Sequence, residues 1–247
     1  IDVGVSLYRE ESLEAFEVRD GWATGVITDK RTLPADLVIL GMGVKPNSEL
    51  AKQAGLTLGV KNSIKVDRRM QTDMEGIWAA GDCAQCFHLI SKQPFHIALG
   101  TVANKMGRVA GLNIGGEPAE FPGVVGTAVS KICKVEVARS GLMEKEAQKL
   151  DLNYAAETIE TSTRAGYYPD SGSITVKMLG EKGSGRPIGT QIVGKEGAAK
   201  RIDVIATALH TGMTVEEMIH LDLSYAPPYA PVWDPILIAA RVLMKKL

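Results

Sequence analysis

The sequence has little that would tie it to a membrane, a nucleic acid or a metal. No apolar run approaches the length needed to cross a bilayer. Neither sign of charge dominates: 28 Lys and Arg against 29 Asp and Glu leave a net charge of −1. That balance gives no pull toward nucleic acid or an anionic surface. Cysteine is scarce. Three of them (Cys83, Cys86 and Cys133) cannot build a disulfide framework, which predicts a reducing, cytoplasmic setting. Cys83 and Cys86 form a Cys-x-x-Cys, read either as a redox dithiol or as two separate thiols; no second pair completes a metal site. No Gly-x-Gly-x-x-Gly occurs, so no dinucleotide pyrophosphate cradle is intact. Internal repeats and low-complexity tracts are also missing. The chain opens at Ile1 inside strand-like sequence, with no Met or leader-like segment, and this predicts a piece of a longer polypeptide.

What is present is ordinary globular sequence. The 247 residues are 45% apolar and 23% charged, enough for one large or two modest domains. Residues 15–18 and 21–28 read as a hairpin turning on Asp20-Gly21. Asp36-Leu37-Val38-Ile39-Leu40-Gly41 reads as a strand buried on both faces of a parallel sheet, and residues 1–5 and 64–66 as further strands. Gly115-Gly116-Glu117-Pro118 marks a linker. Beyond it, residues 127–132, 135–140, 154–161, 174–179 and 188–194 read as strands, with a helix over residues 143–150. Ile202, Ile205, Ala206 and Leu209 give residues 198–211 a helical period, Thr214 and Glu217 form a capping box, and Asp234-Pro235 starts a last helix.

One stretch organises the rest. Residues 77–80 are a short apolar run the size of a buried strand; Gly81 permits a tight turn and Asp82 follows it. Residues 97–112 then read as a helix rich in small residues, including Ala98, Gly100, Ala103 and Gly107. A strand-end aspartate can hydrogen-bond a sugar hydroxyl, and small residues let a backbone approach a flat partner. Together they suggest a bound nucleotide cofactor. The simpler reading of Asp82 is a turn residue or helix cap.

Gly76-Ile77-Trp78-Ala79-Ala80-Gly81-Asp82-Cys83-Ala84 resembles the second flavin-binding motif of the FAD-dependent pyridine nucleotide-disulfide oxidoreductases. Residues 37–44 with Pro46-Asn47 extend the likeness upstream, and Lys200-Arg201-Ile202-Asp203-Val204-Ile205 and Tyr225-Ala226-Pro227-Pro228-Tyr229 downstream resemble most the branch of coenzyme A-disulfide reductases, NADH oxidases and persulfide reductases. The resemblance covers nearly the whole chain and implies its organisation: residues 1–44 as the end of an NAD(P)-binding domain, 45–119 as the back of a Rossmann-like FAD-binding domain, and 120–247 as an α+β dimerisation domain. The expected fold class is α/β plus α+β.

It also implies roles. Gly81 and Asp82 would bind the FAD ribityl chain, and Ala98, Leu99 and Gly100 would aim a helix N-terminus at the flavin. Tyr167 and Tyr225 would reach across a homodimer to orient or protonate a leaving sulfur, against the alternative of interface packing. His96 and Trp233 would contact substrate or line a coenzyme A channel. The C-terminal region carries no His-Pro-x-x-x-x-Glu dyad, which argues against the glutathione reductase and lipoamide dehydrogenase branches. The family's redox cysteine belongs to the front half and is missing here. Electrons would pass from NAD(P)H through FAD to that cysteine and on to a coenzyme A disulfide, persulfide, polysulfide or oxygen. The alternative is a truncated, inactive dimerisation or interaction module. A rhodanese-fused form would need a further domain after Leu247.

Overall fold

Strand sequence becomes a strand only where a neighbour accepts its backbone, and the computed structural model shows both outcomes. It describes residues 4–247, in two units, Ile1–Val44 and Lys45–Leu247. In the first, β1 (Leu13–Arg19), β2 (Trp22–Thr28) and β3 (Thr32–Pro34) form an antiparallel meander. The β1–β2 turn is the expected one. Asp20 and Gly21 both hold positive φ, 50° and 83°, as a two-residue primed turn requires.

The buried strand expected over residues 36–41 does not form. The segment is irregular, and Leu37, Ile39 and Leu40 are 77%, 84% and 57% exposed. Among the described residues it has no ladder partner, and an apolar run without a sheet on either side has nothing to bury against. The strand expected over residues 1–5 lies mostly outside the described residues, and Val5 is irregular.

The second unit starts with the one-turn helix α1 (Glu49–Gln53), entered through buried Ser48, whose hydroxyl donates to the Asn62 carbonyl at 2.6 Å. The strands expected at residues 64–66 and 77–80 shrink to single bridges, Ile64 with Leu58 and Ala84 and Trp78 with Gln71, because no longer ladder flanks them among the described residues. A small hairpin follows, β4 (Cys86–Phe87) with β5 (Pro94–Phe95). Helix α2 (Gly100–Ile114) begins three residues later than expected. It buries Val102, Met106, Val109 and Ala110 against Met70, Ala84, Cys86, Phe121 and Val124.

The remaining chain is a five-stranded antiparallel sheet with helices. In chain order the elements are β6 (Ala128–Ile132), β7 (Val135–Gly141), α3 (Glu144–Lys149), β8 (Tyr154–Ser162), β9 (Ser173–Glu181), β10 (Pro187–Gly194), α4 (Ala198–Thr211), α5 (Val215–Ile219) and α6 (Pro235–Met244). The strand order is β6-β7-β10-β9-β8. Alternation along β9 sends Ile174, Val176 and Met178 into a core with Ile202, Ile205 and Leu209 of α4 and Ile236, Ala239 and Leu243 of α6. The opposite face buries Leu179 and Ile188 against Ala147 of α3. Each fully buried large aliphatic contributes roughly 1.5–3 kcal/mol of transfer free energy, so this sheet holds most of the adhesion. Gly189 marks its tightest crossing: a Cβ there would lie 1.9 Å from the Leu142 carbonyl oxygen. The expected capping box is present, with Glu217 N–H donating to Thr214 Oγ1 at 3.1 Å and Thr214 N–H to Glu217 Oε2 at 2.7 Å.

Candidate functional site

Two clusters hold the residues singled out in the sequence. The first is the Gly81-Asp82 turn. Gly81 takes φ +86°, and a Cβ on it would lie 3.7 Å from the Cβ of Ala103, so the turn sits against the first coil of α2. Asp82 itself is exposed, and its carboxylate makes no hydrogen bond among the described residues. Its backbone is held from behind. His96, only 7% exposed, donates from Nε2 to the Asp82 carbonyl at 2.8 Å, and Ile64 N–H donates to the Cys83 carbonyl, also at 2.8 Å. His96, expected as a substrate contact, lies beneath the turn with Nε2 on its backbone.

Ala98 and Leu99 lie just before α2, and Gly100 opens it. Leu99 is the N-cap, in extended conformation and with no side-chain cap bond. The Leu99 carbonyl accepts from Val102 and Ala103, which leaves the Gly100 and Thr101 N–H groups as the positive pole of the helix. An exposed acceptor at a glycine turn beside an uncapped helix start suits a polyhydroxylated, electron-rich cofactor.

The thiols nearby are poor nucleophiles or are tied up. Cys86 is buried, and burial pushes its pKa up to about 11. Cys83 Sγ contacts the Ala80 carbonyl at 3.5 Å. All three cysteines are free. His88, buried beside Phe95, accepts Ser91 N–H on Nδ1, and burial lowers its pKa, so it stays neutral.

The second cluster is on the C-terminal sheet. The loops after β8 and after α5 meet, and they bring the Tyr167 and Tyr225 hydroxyls to 3.4 Å from each other. Both rings are open to solvent, at 78% and 46%. The bond to Tyr167 raises the Tyr225 pKa. Trp233 is half exposed beneath the Arg241 guanidinium, 4.3 Å from ring centre to Cζ. The nearby prolines stiffen this loop, as Pro227 offers its carbonyl to Ala165 N–H at 3.4 Å.

A further feature was not singled out in the sequence. Arg201, on the inward side of α4, forms a buried ion pair with Asp234, with side-chain exposures of 2% and 4%. A groove of about 1050 Å³ also runs between α2, residues 121–129 and α4, with Lys105, Arg108 and His210 on its walls. Neither the Gly81-Asp82 turn nor the tyrosine pair lines it.

Residues 1–107 match the family model described as pyridine nucleotide-disulphide oxidoreductase, and residues 127–235 match its dimerisation domain. The chain belongs to the pyridine nucleotide-disulphide oxidoreductases. Among this family, the NAD(P)H coenzyme A polysulfide/persulfide reductase of Pyrococcus horikoshii is 44% identical over 218 residues, covering 88% of this chain and 49% of that protein. The coenzyme A disulfide reductase of Staphylococcus epidermidis is 30% identical over 81% of this chain and 46% of that protein. A solved NAD-dependent persulfide reductase from A. fulgidus superposes with a TM-score of 0.91 at 42% identity, over 96% of this chain and 44% of that one. The chain thus spans about half the length of the curated relatives it matches. No helix of its described residues is long and apolar enough to cross a membrane.

Proposed function

We propose that this chain is the cofactor-orienting and dimer-forming part of a flavoprotein that passes electrons from NAD(P)H to a sulfur substrate. The observation that carries the reading is the outward-facing pair of Tyr167 and Tyr225 hydroxyls, held 3.4 Å apart on a domain whose family description is dimerisation. Apart from their bond to each other the two phenols face solvent, and they suit a leaving thiolate supplied from outside the domain. FAD, when bound, supplies the two-electron relay between nicotinamide and sulfur. Toward it, the Asp82 carboxylate would accept from the ribityl hydroxyls, His96 holds that turn by its backbone, and the first N–H groups of α2 would favour electron density on the ring.

Of the three cysteines in the chain, Cys86 is buried and its pKa is pushed up to about 11, which does not suit a reactive thiol. On the family resemblance, the reacting cysteine would lie outside residues 1–247. Tyr225 donates a hydrogen bond to the departing sulfur and Tyr167 supports it, and Trp233 and the exposed Tyr229 and Val232 extend the same rim toward a second copy. The substrate class is a coenzyme A disulfide or a persulfide or polysulfide, with oxygen as the other acceptor, and the setting is cytoplasmic. General acid assistance of this type is worth ~10² to 10⁴-fold. The test is NAD(P)H consumption by the flavin-loaded dimer with coenzyme A disulfide, polysulfide or oxygen supplied separately. Tyr225→Phe lowers the sulfur-dependent rate by ~10²-fold, and an unaltered rate removes the assigned role.

A second reading is an inactive interaction module, favoured by the exposed apolar residues Leu37, Ile39, Leu40 and Met42 and by the missing glycine fingerprint. Flavin retention separates the two. Under the second reading the polypeptide of 26.5 kDa, its mass checked by mass spectrometry, would neither hold FAD through gel filtration nor oxidise NADH alone, and retained flavin would remove that reading.

A further inference from the structure

One guanidinium reaches three separate stretches of chain. Arg201 is 1% exposed in the first turn of α4. Its Nε donates to both carboxylate oxygens of Asp234, each at 3.0 Å, its Nη1 to the Gly197 carbonyl at 3.1 Å, and its Nη2 to the Thr163 carbonyl at 3.2 Å. Thr163 opens the loop that carries Tyr167. Asp234 closes the stretch that carries Tyr225 and Trp233, and its Oδ1 also accepts Ile236 N–H at the start of α6. We propose that Arg201 is the positioning residue of the tyrosine pair: it fixes the Tyr167 loop and the Tyr225 loop relative to each other, so that the two hydroxyls are presented as one unit.

Docking α4 against α6 needs no charge. Well-packed apolar residues of similar volume hold helices as firmly as a buried ion pair, and often more so. What an apolar pair cannot do is bond in a set direction to the Thr163 carbonyl, which belongs to neither helix. A planar guanidinium with donors on all three nitrogens does this, and a lysine ammonium does not. The other ties on these loops are weaker or serve one loop only. Ala165 N–H reaches the Pro227 carbonyl at a long 3.4 Å. Glu196 binds Arg164 at 2.5 and 2.6 Å and Thr163 Oγ1 at 3.0 Å, but touches nothing on the Tyr225 side. Arg201 is thus the buried link common to both loops. The use of the pair in sulfur chemistry rests on the function proposed above; the coupling of the loops does not.

The test is photo-oxidative dityrosine formation in the 247-residue chain, with the linked peptides identified by mass spectrometry and mixed isotopic labels separating links between copies. The parent chain yields a Tyr167–Tyr225 link within one molecule, and its failure to do so overturns the proposal. The double variant Arg201→Met with Asp234→Asn keeps the volume and, through asparagine, the helix cap. It melts cooperatively, but the link falls severalfold. Arg201→Lys gives the same loss, while Lys177→Gln, which breaks the distant Lys177–Glu144 pair, leaves the link at the parent level. A folded double variant or a folded Arg201→Lys that retains the link overturns the proposal. So does loss of cooperative melting in both, since Arg201 would then serve global stability alone. No flavin, nicotinamide or disulfide enters the assay, so a retained link counts against Arg201 only. Unaltered disulfide turnover in Tyr225→Phe counts against the functional reading only.

Discussion

Two apolar stretches of this chain have opposite fates. Residues 36–41 and strand β9 are both rich in strand-forming side chains. β9 lies between β8 and β10, pairs with each over most of its length, and buries Ile174, Val176, Met178 and Leu179 completely. Residues 36–41 have no paired neighbour among the described residues and leave Leu37 and Ile39 almost fully open. The difference does not lie in hydrophobicity. It lies in whether flanking backbone exists to accept the ladder, which is why side-chain packing and not intrinsic preference decides a strand.

The contrast can be broken at several places. The largest effect is expected in the sheet core. Leu243→Ala on α6, fully buried against the sheet, costs about 2–5 kcal/mol in denaturant unfolding, whereas Leu40→Ala costs within about 0.5 kcal/mol. Equal costs would show that residues 36–41 are buried after all. An intermediate effect is expected at the Asp82 turn. His96→Ala removes one buried bond worth roughly 0.5–1.5 kcal/mol, and hydrogen exchange of the amides around residue 82 speeds up while those of β9 stay protected. Unchanged exchange at residue 82 would show that the turn is held without the imidazole.

The smallest effect is electrostatic. Hydrogen bonding to Arg164 holds the Glu196 carboxyl below its ordinary 4.5, and the Thr214 amide does the same for Glu217. With folded-state values below unfolded ones, their contribution is whole above pH 4.5 and is lost as pH falls through the lowered values. Glu196→Gln therefore lowers the neutral plateau slightly and flattens the acid limb of a stability–pH profile, while the stability at the acid end stays at the parent level. An acid limb identical to that of the parent would remove Glu196 from the account.

The C-terminal sheet was legible because its signals are local. Alternation, the Thr214–Glu217 box and the Asp234-Pro235 start each name their own element. The pairing of Tyr167 with Tyr225, 58 residues apart, came only through likeness to a family, since nothing in the spacing brings them together. The burial of His96 was not legible, because a loop histidine carries no sign of which carbonyl lies behind it. Arg201 was hidden by its charge: an arginine on a helix reads as surface until the carboxylate that receives it, here 33 residues later, is known.

The crossing at Gly189 sets a limit on how this domain can vary. With the Leu142 carbonyl oxygen 1.9 Å from where a first side-chain carbon would stand, and Leu142 N–H bonded to the Ile188 carbonyl at 2.9 Å, the lead-in to α3 lies flush on β10. Even alanine would have to wedge that lead-in off the strand. Sequence drift at this position is closed off by contact alone, whatever chemistry the protein performs.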